Sequence, residues 1–135
     1  MSKSAIYTVN NSVQTLNDGE VINLGSTMRR FGCNCQLSGN AIRVAGAGYY
    51  KINASITIAP AAAATITITA LKDGVAIPGA IASVTTTGSG DYASLPIDCI
   101  IRENCACCDD ASNISFIVSG GATNVTNVAV VIEKI

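Results

Sequence analysis

The chain has 135 residues, 49% apolar and only 13% charged, with eight Lys plus Arg against nine Asp plus Glu and a net charge of −1. That length fits one hydrophobic core, the composition excludes a disordered chain, and the absence of any basic run excludes a binder that tracks nucleic-acid phosphates. Histidine is absent, which removes the commonest general base and the commonest neutral metal ligand, so no hydrolase triad can be built. Taken in order, residues 1–4 read as a tether and residues 5–135 as a single domain. Short strands are expected at 5–9 and 13–16, separated by the turn Asn10-Asn11. After Asn17-Asp18-Gly19 comes Val21-Ile22-Asn23-Leu24, a further strand. Residues 28–36 carry Arg29-Arg30 and the pair Cys33, Cys35, and 41–44 form another apolar run.

The longest signal starts at Gly46. From Tyr50 the apolar residues Tyr50, Ile52, Ala54, Ile56 and Ile58 alternate with Lys51, Asn53, Ser55 and Thr57, the period of a half-buried strand, and Pro60 closes it. Four alanines, Ala61 to Ala64, follow; they are too few to nucleate a helix, so a loop is expected, then a strand at 65–71. Asp73-Gly74 supplies the positive φ angles of a tight hairpin turn into 75–77. Pro78-Gly79 is expected to turn the chain into a new strand at 81–86. The glycine-rich stretch Thr87, Gly88, Ser89, Gly90, Asp91 turns it again into a strand where Pro96 favours an edge position. A cysteine-rich loop over 103–112 precedes an alternating Ile114, Phe116, Val118.

The closing stretch 125–135 differs: Val128, Val130 and Ile132 fall on one face and Ala129, Val131 and Ile135 on the other. A strand apolar on both faces is buried on both. One face meets the opposite sheet, and the simplest cover for the second is another copy of the chain. Frequent turns between short strands give an all-β, two-sheet antiparallel sandwich.

Gly48-Tyr49-Tyr50-Lys51-Ile52 resembles the start of the long central strand in the tumour necrosis factor and complement globular-head superfamily. Val128 to Ile135 is similar to that superfamily's closing strand. With Gln14-Thr15-Leu16, the hairpin from Leu71 to Ala80 and the Asn127-Val128-Ala129-Val130-Val131 ending, the chain further resembles small heads of bacteriophage fibre and decoration proteins and of bacterial collagen-like spore-surface proteins. The resemblance implies a jelly roll of about ten strands that assembles as a homotrimer with its last strand near the threefold axis. Two departures stand out: no Gly-x-y repeat precedes the head, and the cysteines are not part of the superfamily's pattern.

Six cysteines are the most unusual feature. Cys33, Cys35, Cys105, Cys107 and Cys108 are candidates for disulfides between clusters or between subunits, since neighbours within a cluster are poorly placed to bridge. Free buried thiols, Cys99 foremost, and a thiolate metal site are the alternatives. Asp109-Asp110 and Arg29-Arg30 read as solvated pairs. No cofactor and no catalytic residue is expected, because there is neither a phosphate-cradling loop nor a placed carboxylate pair. Without a secretory leader or a membrane span, and with 4% aromatics offering no base-stacking platform, neither nucleic acid nor membrane insertion is expected. The expected function is a structural or attachment protein of a bacteriophage virion (head fibre, capsid decoration or fibre tip), made in the host bacterial cytoplasm. It would be held to other virion proteins through its N-terminus, with the loops at Ala61, Ala62, Ala63, Ala64 and at Thr87 to Asp91 meeting a host-surface glycan or protein. A spore-surface protein is the first alternative and a cysteine-based metal binder the second.

Overall fold

A computed structural model of the chain describes residues 4–32, 34–60, 62–88, 92–103 and 112–135. All regular structure among them is strand: β1 Ala5–Asn10, β2 Gln14–Leu16, β3 Ser26–Phe31, β4 Cys35–Ser38, β5 Ala41–Val44, β6 Gly48–Pro60, β7 Thr65–Lys72, β8 Val75–Thr85, β9 Ala93–Glu103, β10 Ser112–Ser119 and β11 Thr123–Lys134. They form two antiparallel sheets. The first runs β3-β1-β11-β6-β9, with β2 also paired to β11, and the second runs β4-β5-β10-β7-β8.

The alternation of β6 does what its period requires: Tyr50, Ile52, Ile56 and Ile58 are wholly buried while Lys51 and Ser55 face water. Across the gap, Ile66, Ile68, Ile114, Phe116 and Val118 are equally buried on the second sheet. Each such side chain contributes about 1.5–3 kcal/mol relative to exposure, and the sum holds the layers together. Asp73 and Gly74 take positive φ values of 53° and 82°, as the β7–β8 hairpin demands.

Two local expectations are corrected. Pro78-Gly79 does not turn the chain: β8 continues through it from Val75 to Thr85, with a register shift opposite, between Thr69 and Leu71 of β7. An edge strand tolerates the missing N–H, and Gly79 at φ 82° absorbs the bulge. Residues 21–24 are not a ladder strand either. They belong to a strap that leaves the first sheet at β2 and bonds β10 of the second, with Ile22 N on Phe116 O at 2.8 Å and Gly19 N on Val118 O at 2.7 Å. Ile22 and Leu24 plug the core from that side. Pro96 does lie on an edge strand, β9.

The register gives the sandwich two distinct ends. At the terminal end Ala5 pairs with Glu133, Lys134 N donates to Ser4 O at 2.8 Å, and Ile135 N donates to Tyr49 O at 3.0 Å. At the distal end Thr123 pairs with Pro60 and Thr65 with Thr85. Gly120 (φ 102°) closes that end so tightly that an added Cβ would run into the carbonyl oxygen of Thr65.

Candidate functional site

The two loop stretches singled out for recognition emerge side by side at the distal end. Thr86 N donates to Ala64 O at 2.9 Å, and the Thr86 side chain is buried against the same residue. This cross-tie fixes the segment before β7 to the segment after β8. Ala62, Ala63 and Thr87 are exposed, and Ala64 and Gly88 are half-buried. Ala61, Ser89, Gly90 and Asp91 lie outside the described residues. Tyr92, 69% exposed at the start of β9's approach, was not singled out by the sequence reading.

The outer face of the first sheet carries a different surface. Ala129 and Val131 of β11 are half-buried there, while Val128, Val130 and Ile132 are wholly buried within the sandwich. Next to them stand Tyr7 of β1 and Met28 and Phe31 of β3, the last 60% exposed. Two shallow grooves, about 460 and 220 Å³, run along this face and share Tyr7 and Arg29. Ile135 lies beyond the last paired residue and is mostly exposed. The sequence reading found Ala129 and Val131 through parity but missed Met28 and Phe31, because every residue of β3 is exposed and no alternation marks it.

A third surface lies where the edges β8 and β9 meet. A groove of about 320 Å³ there is lined by Val75, Ile77, Pro78, Ile100, Lys72 and Arg102. Lys72 Nζ donates to Arg102 O at 2.8 Å, and the Arg102 guanidinium lies 5.9 Å from the centroid of the Tyr49 ring. Val75, Ile81 and Ile100 are each more than half exposed along these edges.

The described cysteines are free thiols. Cys35, on β4, is buried, and burial pushes its thiol up to about 11, against a smaller opposing pull from Arg30. Arg30 Nε in turn donates to the Cys35 carbonyl at 2.6 Å. Cys99, half-buried on β9, is raised by burial and then by Asp98. Neither is a thiolate at neutral pH, so neither is activated as a nucleophile. Cys33, Cys105, Cys107, Cys108 and Asp109-Asp110 lie outside the described residues. Among the described residues no three His, Cys, Asp or Glu side chains gather to hold a metal. The flanks of the second cluster are well anchored: Ser112 Oγ donates to the buried Glu103 carboxylate at 2.5 Å, and Ser112 pairs with Val44, whose other neighbour is Cys35.

The remaining polar candidates are structural. Tyr50 is wholly buried, its hydroxyl donating toward the carbonyls of Ala45 and Gly46, and burial raises its pKa. The Thr65, Thr67, Thr69 stripe faces outward, with Thr65 bonded to Thr85 at 3.0 Å and Thr67 to Ser83 at 2.9 Å.

No protein-family model matches the chain, and no curated protein does. Its fold does have close counterparts among solved structures. Murine APRIL superposes with a TM-score of 0.77 at 13% identity, covering 99% of this chain and 100% of that one. The globular domain of zebrafish complement 1qA protein gives 0.69 at 8% identity, over 99% and 97% of the two chains. PRD1 vertex protein P5 gives 0.60 at 12% identity, over 98% and 96%. The chain therefore has the jelly-roll fold of the tumour necrosis factor and complement heads, as the Gly48 to Ile52 and Val128 to Ile135 motifs imply.

Proposed function

We propose that the chain is a non-enzymatic, homotrimeric head that decorates a bacteriophage virion as a head fibre, capsid decoration or fibre tip. In this reading the terminal end sits on another virion protein and the distal loops point outward, toward a host-surface glycan or protein. The observation that carries it is the outer face of the first sheet, where Tyr7, Met28, Phe31 and Val131 lie together on a surface that a lone sandwich leaves wet. Contiguous exposed apolar side chains of this kind mark an interface. A second apolar surface at the β8 and β9 edges, of different shape, is what a head-to-tail ring of identical copies requires. Threefold assembly then presents three copies of the distal loops on one side, and weak sites linked in this way gain avidity.

The vertex protein among the fold's counterparts supports a particle-surface role. The spore-surface reading shares the fold and draws on the cysteines, which would cross-link a layer after assembly. The metal-thiolate reading draws on the clustered cysteines, of which only Cys35 is among the described residues, and no specific observation favours it. Binding of the purified protein to the parent particle, to host cells and to a glycan array tests the proposal. Particle and cell or glycan binding is the expected result. Particle binding alone leaves decoration without recognition, and binding to none overturns the attachment reading.

A further inference from the structure

We propose that Arg29 of one copy forms an ion pair with Asp98 of the next, and that this pair selects which two surfaces meet. The inference rests on the trimeric reading above and names the contact that would orient it.

Arg29 stands opposite Tyr7 in the β1–β3 register, and Tyr7 stands opposite Val131. Its guanidinium therefore belongs to the apolar face, where it helps line both grooves. Among the described residues its Nη1 donates only to the carbonyl of Met28, 2.9 Å away, and meets no carboxylate. Such a group is stable while water covers it. Once a second copy covers the face, the four N–H donors not spent on Met28 lose their water, and a guanidinium without a carboxylate at that position would oppose assembly. The covering surface has to bring an acceptor, and a carboxylate fits the guanidinium fork best.

Among the described residues the acids available to do so can be sorted by what they already hold. Glu103 takes the Ser112 hydroxyl, Asp73 Oδ1 takes Asn113 N, Asp18 Oδ1 takes Gly120 N, and Glu20 Oε1 takes Asn17 N. Glu133 also holds no hydrogen bond or ion pair among the described residues, but it stands opposite the cation Lys51 in the register. Asp98 differs from all of these. It is exposed on the edge strand β9, opposite the neutral Asn53, and carries no hydrogen bond or ion pair among the described residues. Two residues along the same face stands Ile100, 60% exposed. Arg29 and Asp98 stand in one register row across the outer face of the first sheet, running Arg29, Tyr7, Val131, Asn53, Asp98, so the β3 edge offers a cation among apolar side chains and the β9 edge an anion beside one. Each copy carries one of each, and in the trimeric reading the contact repeats head-to-tail around a ring. Charge placed this way fixes register and partner surface.

The test is a charge exchange read by sedimentation velocity, with far-UV circular dichroism as a fold control. Arg29→Asp and Asp98→Arg should each raise the protomer concentration at half-assembly by about 10–100-fold, and the double exchange should recover most of that loss. Should an exchanged chain lose its β-signature, Arg29→Gln and Asp98→Asn supply the same cycle. Each is then expected to weaken assembly, with little further loss when combined. A wild-type trimer with both single variants assembling as wild type, a charge-exchanged double variant no better than the worse single, or a Gln/Asn double whose loss is the sum of the two singles overturns the pairing and leaves the trimer standing. A monomeric wild type overturns the trimer itself.

Discussion

The two sheets share one core but finish their outer faces in opposite ways. On the second sheet the outward hydroxyls pair with each other across strands, Thr65 with Thr85 and Thr67 with Ser83. Along those rows the face satisfies its own polar groups and needs only water. On the first sheet the outer face holds Tyr7, Met28, Phe31, Ala129 and Val131, with one guanidinium among them. The same strand grammar therefore produces a finished surface on one side and an unfinished one on the other, and the unfinished one lies over the central strand β11.

Breaking this contrast most sharply means placing a charge on each face. Val131→Asp should bury an unpaired carboxylate in the interface at a cost of several kcal/mol, so that assembly is lost before secondary structure. Thr67→Asp, on the second sheet, should leave the assembled mass unchanged. If the two variants sediment alike, the contrast between the faces is wrong.

A smaller effect is expected from the buried interior of the first sheet. Thr8 is wholly buried on β1, and its hydroxyl has no hydrogen-bond partner among the described residues. Thr8→Val removes that polar atom at nearly constant volume and should raise stability by about 0.5–1 kcal/mol in urea denaturation. A loss of stability would show that the hydroxyl is bonded after all.

The thiols give a pH dependence. The folded chain holds Cys35 protonated up to about 11, above the ordinary thiol value of 9.0, so the unfolded chain releases that proton first as pH rises. Stability should accordingly be flat in this contribution at neutral pH and fall between about pH 9 and 11. Cys35→Val should make the alkaline fall shallower, by thermal melts at matched ionic strength. The smallest effect is expected at the hydroxyl pairs themselves: Thr67→Val and Ser83→Ala, on an exposed face, should each shift stability by no more than about 0.5 kcal/mol.

The elements that could be read from the sequence are those whose signal is local. The alternation of β6 fixes its own inner face, and the double apolar parity of β11 points to a second covered side. Asp73-Gly74 marks its hairpin through backbone conformation alone. The failures come where tertiary context decides. Pro78-Gly79 is ordinary turn chemistry, yet an edge position lets β8 run through it. Residues 21–24 look like a strand but serve as a strap, because the bonds that hold them come from β10, far along the chain. The neighbourhood of the two distal loops depends on the bonds between Thr86 and Ala64, which no local pattern announces. Met28 and Phe31 carried no signal because β3 is exposed throughout and shows no alternation, and Asp98 reads only as the polar half of the alternation of β9.

The central claim is that the outer face of the first sheet is covered by identical copies. Sedimentation equilibrium of the untagged chain across the micromolar range tests it most directly. A single species of three times the 13.7 kDa chain mass is expected. A species of one chain mass over that whole range would contradict it.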